Sequence, residues 1–227
     1  MNLKDAMKER HTVRKFKDIP LTDEHLKLIS EKVDELNNIY NLNMELKLND
    51  PKIIPFIFRL GFSRNAANYI TLAGPKGENA PEKLGYCSSI LMRYLTTLGI
   101  DTWWIGGTFH KRKLEKDDQV LPGILVVGYG ESHGKAHRSK PLNRIILTDQ
   151  EAPEWFINGA KATLLAPTAL NKQDYLVMGK DGKVVILNRN GDFTEVNRGI
   201  LRHHFELGAG TDNFTWMEPN IEEYRIF

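Results

Sequence analysis

The run Gly123–Tyr129 constrains the fold more than any other segment, because it is apolar along its whole length. A continuous apolar run of this length predicts a strand that is buried inside the protein. Residues 68–73 predict a second strand, which Gly74 and Pro75 end. Such strands need other layers to cover them, so the helices of the chain decide its architecture.

Two long amphipathic segments predict helices. The first begins at Thr22 or Asp23 and has apolar residues at every third or fourth position, namely Leu26, Ile29, Val33, Leu36 and Tyr40. The second begins at Pro81, runs to about Gly99, and has an apolar face of Leu84, Cys87, Leu91, Leu95 and Leu98. Because Cys87 lies on that face, we interpret it as a small buried hydrophobic residue and not as a nucleophile.

Shorter elements complete the pattern. Three short helices are predicted, at residues 2–10, 153–162 and 199–207. A β-hairpin is predicted between 174–178 and 184–187, because Asp181 and Gly182 form a favoured turn between them.

Two further segments carry many glycine or aromatic residues. The glycine-rich stretch 101–109 is expected to lack regular structure, and the tail 208–227 is expected to be irregular. Phe214 and Trp216 in this tail are candidates to pack over a partner subunit or over a ligand site. No linker divides the chain, which indicates a single domain 1–227 of the α+β class or a three-layer α/β arrangement.

Composition excludes several classes of function. Lys and Arg number 31 and Asp and Glu 29, and this near balance argues against a dedicated nucleic-acid binder. The single cysteine excludes an intrachain disulfide and any site with several cysteine ligands. No apolar run approaches the ~18 residues that span a bilayer, and the first residues lack a signal-peptide core. We therefore expect a cytoplasmic protein without a metal, a membrane or a nucleic-acid partner.

Several motifs are interpreted as ordinary structure. Residues 130–134 match the G-x-S-x-G pattern of serine hydrolases around Ser132, but a polar, basic stretch broken by Pro141 follows in place of the required helix. The pair His203-His204 lacks an acidic partner at metal-binding spacing, and we expect one ring inward and one outward. The charged run 111–116 predicts a solvated helix face.

The segment 10–16, Arg-His-Thr-Val-Arg-Lys-Phe, is the candidate binding site. It places three cations, a histidine and a hydroxyl within six residues. Arginine offers a planar fork for phosphate, and Thr12 adds a hydroxyl donor. Taken alone, the segment also fits a solvated basic stretch.

Four segments together resemble the FMN-dependent nitroreductase family. Residues 10–16 resemble its Arg-Arg/His-Ser-x-Arg/Lys-x-Phe signature, 99–107 its Gly-Leu-x-x-x-Trp-x-Gly flavin loop, and 166–173 its Ala-Pro-Ser-x-x-Asn-x-Gln loop. The strand 124–129 with the following 138–141 resembles its closing strand and basic phosphate contacts. The third loop follows the closing strand here, whereas it precedes the flavin loop in common members, so the chain is most similar to a subgroup with permuted order.

The resemblance implies a fold and an assembly. The fold is a three-layer α/β/α sandwich around a mostly antiparallel sheet, and the assembly is a homodimer with FMN at the subunit interface. The implied phosphate contacts are Arg10, Thr12, Arg138 and Lys140. Arg14 is implied as the cation near N1 and the C2 carbonyl of the flavin.

The other implied cofactor-binding residues lie in the same motifs. Gly107, with Gly106, offers a backbone N–H to flavin N5, because a residue without a side chain permits close approach. Pro167, Thr168 and Asn171 reach the flavin from the other subunit. His11, Trp104 and Ala169 complete the set, and no catalytic side chain is implied.

The implied function is an oxidoreductase that passes hydride from NAD(P)H through flavin N5 to a nitroaromatic or quinone-type acceptor by a ping-pong mechanism. Two alternatives remain open at this point. One is a flavin-binding storage or sensing protein without efficient turnover, and the other is a serine hydrolase that uses Ser132.

Overall fold

The computed structural model describes residues 1–77, 79–148, 151–188, 191 and 193–218, without the side chain of Leu3. Its helices are α1 (Leu3–Glu9), α2 (Asp23–Tyr40), α3 (Phe56–Arg59), α4 (Ala80–Thr97), α5 (Glu154–Thr163) and α6 (Thr194–Ala209). Its strands are β1 (Glu45–Lys47), β2 (Tyr69–Pro75), β3 (Asp101–Ile105), β4 (Gln119–Gly128), β5 (Ile146–Thr148), β6 (Tyr175–Lys180), β7 (Lys183–Asn188) and β8 (Thr215–Trp216).

The first sheet has β4 in its interior. Its strand order is β1-β2-β4-β3, and every neighbouring pair is antiparallel. Ile124, Leu125 and Val126 are fully buried, because the sheet is covered on both faces. The strand predicted from the apolar run is therefore confirmed.

Different segments cover the two faces of this sheet. Helices α2 and α4 cover one face with the apolar residues that the sequence predicted to point inward, including Ile29, Val33, Leu84 and Leu91. The Thr22 side chain caps α2 by accepting a hydrogen bond from the His25 N–H. The other face packs against the N-terminal segment after α1 and against residues 53–54.

A second sheet of four strands follows along the chain. Its order is β5-β6-β7-β8, with parallel outer pairs around the antiparallel pair β6–β7. That pair is the predicted hairpin, and its turn residues Asp181 and Gly182 both have left-handed backbone angles, as the turn type requires. The α+β class is confirmed, and the second sheet adds to the one sheet that the resemblance implied.

Helices α4 and α6 cross at very short range and connect the two sheets. A β-carbon at Gly85 would lie 2.1 Å from the Val196 carbonyl oxygen, so only glycine permits this approach. Glu82 of α4 is buried, accepts a hydrogen bond from Arg198 Nε of α6 at 2.6 Å, and forms an ion pair with Arg202 of α6 at 2.7 Å. Backbone contact and ion pairs together fix the position of α6.

Three expectations about local structure are wrong. Asp101–Ile105 forms a regular strand, because it pairs along its length with β4 and the glycines begin only after it. Helix α6 begins at Thr194 and is longer than the predicted 199–207. The charged run 111–116 is exposed as expected, but only 111–113 forms a helical turn, of the 3₁₀ type.

The aromatic tail packs on its own chain as far as the structure describes it. The Phe214 ring stacks on Trp155 at 5.8 Å between centroids, and the Trp216 ring lies 5.4 Å from Phe205. These rings join the core between α5, α6 and the second sheet. Both rings therefore have packing partners in their own chain, and the expectation that they cover a partner subunit or a ligand site stays a prediction. The rest of the tail lies outside the described residues.

The interpretations of Cys87 and of the G-x-S-x-G match are confirmed. Cys87 is fully buried, and burial raises the pKa of its thiol to about 12, which leaves the thiol protonated and unreactive at neutral pH. Ser132 is exposed in a segment without helix, so the nucleophile turn of a hydrolase is not formed.

Candidate functional site

Arg10 is the most unusual polar residue of the structure. It follows the last residue of α1, and its backbone N–H bonds to the Ala6 carbonyl. Its side chain is only 6% exposed, and its Nε atom has no hydrogen-bond partner in the described chain. Burial lowers the pKa of the guanidinium to about 10. A buried cation without a partner is costly, so the site fits an anion that would neutralise it.

Several basic side chains lie near Arg10. Burial lowers the pKa of His11, and the charges of Arg10 and His137 lower it further, whereas the charge of Glu9 raises it. Burial likewise lowers the pKa of His204 to about 3, with added contributions from Arg10, Arg93 and His137. Basic side chains from four parts of the chain therefore lie near one another. They are Arg10 with His11, Arg93, His137 and His204.

The segment after β4 packs directly on the N-terminal motif. A β-carbon at Gly134 would lie 2.9 Å from the His11 β-carbon and 3.0 Å from the Thr12 carbonyl oxygen. A few residues later, His137 bonds through Nε2 to the Leu164 carbonyl at 2.8 Å. The predicted phosphate contacts Arg138 and Lys140 follow, and both are exposed.

The loop 166–173 is bonded to this basic segment of the same chain. The Asn171 amide donates to the Arg138 carbonyl at 2.9 Å, and the Lys140 backbone N–H donates to Gln173 Oε1 at 2.7 Å. The Lys140 ammonium donates to the Gln173 carbonyl at 2.9 Å. The permuted order thus brings this loop next to the 138–140 segment within one chain, and the expectation that Pro167, Thr168 and Asn171 reach the flavin from another subunit stays a prediction.

The backbone of this loop is strained. Leu170, Asn171 and Gln173 all have left-handed backbone angles, which side-chain-bearing residues rarely adopt. The Thr168 hydroxyl accepts from the Gln173 N–H, and the Ala169 N–H donates to Asn197 of α6. These bonds hold the loop in a conformation that its residues would not choose alone, as is common at functional sites.

The N-terminal motif runs parallel to the beginning of β3. Thr12 pairs with Thr102, and the Val13 N–H bonds to the Thr102 carbonyl at 3.0 Å. Beyond it, the Arg14 guanidinium lies over the rings of Phe62 and Trp103, at 5.0 and 5.7 Å from their centroids. Arg14 is therefore held at the surface beside the strand that ends in the two glycines.

The two glycines after β3 differ from each other. A β-carbon at Gly106 would lie 2.4 Å from the Phe193 ring, whereas one at Gly107 would meet nothing within 4 Å. Neither residue has a left-handed backbone angle, so the backbone conformation does not itself require glycine here. Trp104 packs against Gly106, Gly123 and Phe193, which gives its side chain a structural place in the core.

Arg93 of α4 is the residue that sequence reasoning missed. Its Nε and Nη1 atoms are buried and lack hydrogen-bond partners in the described chain. It lowers the pKa of both His203 and His204, so it lies close to the same positive region as Arg10. The one sequence signal is its position four residues after Ser89, which places both residues on the same side of α4.

Both histidines of the 203–204 pair are buried, which corrects the expectation of one inward and one outward ring. Burial lowers the pKa of His203 to about 2. The Ser89 hydroxyl lies 2.7 Å from His203 Nδ1 and 3.1 Å from His204 Nδ1. Because His204 Nδ1 also faces the Ile200 carbonyl at 2.9 Å, His204 donates from Nδ1 and Ser89 donates to His203.

This fold and these motifs define a protein of the nitroreductase class. The chain belongs to the family described as "Putative TM nitroreductase", whose model matches residues 2–209. No curated protein matches the chain. Among the described residues no group of His, Cys, Asp or Glu is placed to hold a metal ion, and none of the described helices has the length and apolarity to cross a membrane.

Solved structures share the fold. A putative nitroreductase from Thermotoga maritima is 22% identical and has a TM-score of 0.67, with 92% of this chain and 83% of that chain covered. A putative nitroreductase from Desulfovibrio desulfuricans, solved in complex with FMN, is 16% identical with a TM-score of 0.53 and covers 67% of this chain and 99% of its own. A putative NADH dehydrogenase/NAD(P)H nitroreductase from Bacteroides thetaiotaomicron is 12% identical, with a TM-score of 0.51 and shares of 63% and 95%.

The buried histidine pair predicts loss of stability in acid. Because the folded-state pKa values lie well below the unfolded value of about 6.5, only the unfolded chain binds these protons as the pH falls below it. The free energy of unfolding should fall by up to about 1.4 kcal/mol per pH unit for each histidine. Chemical denaturation between pH 7.5 and 5 (a range of about 2.5 units around that value) measures this slope.

The variant His204→Gln should show a smaller slope than the unmodified chain. His110→Gln, which removes an exposed histidine, is the matched control and should keep the original slope. An unchanged slope in His204→Gln would contradict the assignment of His204 as a buried neutral group.

Proposed function

We propose that the chain is an FMN-dependent oxidoreductase formed by a single domain. The observation that carries the proposal is the burial of Arg10, whose Nε atom has no hydrogen-bond partner among the described residues, at the junction of the matched family motifs. The phosphate of FMN carries about two negative charges near neutral pH and would neutralise it. The FMN complex of the Desulfovibrio desulfuricans relative supports the same cofactor.

Different residues of this chain would bind different parts of FMN. Arg10, Thr12, Arg138 and Lys140 would hold the phosphate, with His11 beside them. Arg14 would face N1 and the C2 carbonyl, where a cation favours the reduced flavin. Gly107 would donate its backbone N–H toward N5, and the loop containing Pro167, Thr168, Ala169 and Asn171 would close over the cofactor.

FMN, when bound, would supply two-electron chemistry at N5, namely transfer of hydride from NAD(P)H to a nitroaromatic or quinone-type acceptor in a ping-pong cycle. The chain needs no acid or base for this chemistry, because its residues position the reactants and stabilise charge. The printed name of the Bacteroides thetaiotaomicron relative supports NAD(P)H as the donor.

The loop 166–173 and the basic segment 138–140 contact each other within one chain, which concerns the number of subunits that the FMN site needs. The bonds from Asn171 and Gln173 to the 138–140 segment need no second subunit. We therefore propose that one chain holds most contacts to FMN. The homodimer and the cytoplasmic location stay predictions.

The variant Arg10→Ala tests the phosphate site. Loss of one charge-assisted contact of about 1.5–3 kcal/mol should weaken FMN binding about 10- to 150-fold. Riboflavin, which lacks the phosphate, should bind the variant and the unmodified chain equally. Flavin fluorescence titration measures both affinities, and the exposed Arg112→Ala is the control for loss of an arginine.

An equal loss of FMN and riboflavin affinity in Arg10→Ala would show that Arg10 supports the fold and does not contact the phosphate.

Bleaching of the flavin by NADH or NADPH in the unmodified protein then separates the oxidoreductase from a storage or sensing protein. A flavin that neither nucleotide reduces would contradict the proposed activity.

The variant Gly107→Val tests the approach of the backbone to N5. Because nothing in the chain lies within 4 Å of the new β-carbon, thermal stability without flavin should stay unchanged. Flavin occupancy or the rate of bleaching should fall, because the side chain would occupy the space that the ring needs. Gly106→Val is the matched contrast, since its side chain would clash with Phe193 and lower the melting temperature without flavin. Normal occupancy and bleaching in Gly107→Val would show that this loop does not contact N5.

A further inference from the structure

An exposed apolar ridge lies next to the proposed flavin site. It consists of Phe56, Ile57, Leu60 and Phe62, which are 65%, 68%, 60% and 49% exposed. Four large apolar side chains within seven residues form a patch of the kind that usually contacts a ligand or partner. The rest of the described chain has no comparable run of exposed apolar residues.

The ridge is joined to Arg14. The Phe62 ring packs edge-on against Trp103 at 5.8 Å and lies under the Arg14 guanidinium. The backbone of Arg14 also accepts a hydrogen bond from the Arg64 N–H at 3.0 Å. The ridge and the residue proposed to face the flavin therefore form one continuous surface.

A cavity of about 380 Å³ opens beside the ridge, at Leu60. Three cations line it, Lys15, Arg59 and Arg64, and its described lining contains no acidic residue. Arg64 is paired with Glu131 at 3.2 Å. Lys15 and Arg59 have no ion-pair partner in the part of the chain that the structure describes, and Arg59 lies over the Phe56 ring at 5.6 Å.

The charge of this cavity distinguishes it from the larger one. The cavity of about 630 Å³ between β4 and α6 contains both signs of charge in its lining. There Lys111 pairs with Glu115, and Lys116 pairs with Glu45. Of these two cavities, the one beside the ridge combines cations that lack an ion-pair partner among the described residues with an adjoining apolar surface.

We propose that this surface binds the adenosine half of NADPH and gives the enzyme a preference for NADPH over NADH. The inference rests on the proposed function, because it places the electron donor beside the flavin. Lys15 and Arg59 bind the 2′-phosphate, with Arg64 at its edge, and the ridge packs against the adenine ring. The nicotinamide end then extends past Arg14 toward the proposed flavin.

The chemistry of the residues matches this ligand. A 2′-phosphate is a dianion, and an arginine fork with a lysine ammonium provides the donors and charge it needs. Adenine is planar and apolar on its faces, and packing on the exposed aromatic and aliphatic side chains buries both surfaces. NADH presents a hydroxyl in place of the phosphate and would leave both cations unneutralised.

Nucleotide fragments test the site without turnover. Calorimetric titration of the full chain should show that 2′,5′-ADP binds at least about 10-fold more tightly than 5′-AMP, as expected from charge-assisted hydrogen bonds to the 2′-phosphate. Arg59→Gln and Lys15→Gln should each reduce this ratio strongly without changing 5′-AMP affinity. Lys27→Gln on α2 is the control for loss of an exposed cation, and Ile57→Ser should weaken both fragments by the same factor.

The outcomes separate this inference from the proposed function. Equal affinity for the two fragments, or a ratio that Arg59→Gln leaves unchanged, would overturn the 2′-phosphate site. So would conversion of a dimer to a monomer by Ile57→Ser together with equal fragment affinities, because the ridge would then cover a second copy of the chain. Selective binding of 2′,5′-ADP by a chain that holds no flavin would support this site and contradict the proposed oxidoreductase.

Discussion

The proposed site depends on the burial of a positive charge that the described part of the chain does not neutralise. Arg10, at the end of α1, is only 6% exposed, and its Nε atom has no partner among the described residues. Arg93 adds a second incompletely bonded guanidinium to the same region. An anionic ligand would supply the missing partner and offset this cost, and we propose that the phosphate of FMN is that ligand.

The contact between α4 and α6 makes this arrangement possible. The glycine crossing and the buried Glu82 fix α6 against the first half of the chain. Helix α6 in turn holds the 166–173 loop through Asn197, and it supplies His204 beside Arg10. The two halves of the chain thus contact each other at the proposed site. This contact is the structural consequence of the permuted motif order.

Local features of the fold were predictable because neighbouring residues determine them. The cap and apolar face of α2, the buried strand β4 and the hairpin turn at Asp181-Gly182 all follow from short patterns. The strand over Asp101–Ile105 was missed, since pairing with a distant strand overrides its local composition.

The motifs of the site were predictable, but their arrangement was not. Residues such as Arg10 and Thr168 stand out by resemblance, whereas the proximity of Arg93 to His204 depends on how two helices cross. The same holds for the bond between Asn171 and the Arg138 carbonyl, which residues 33 positions apart make only in the folded chain. Tertiary contacts of this kind leave no periodic signal in the sequence.

The most direct test of the account is a crystal structure of the protein with FMN bound. The account predicts a phosphate in contact with Arg10 and Arg138 of the same chain whose 166–173 loop lies over the cofactor. It also predicts the Gly107 N–H at hydrogen-bonding distance from N5. A phosphate held away from Arg10, or a cofactor whose 166–173 loop comes from a second subunit, would contradict it.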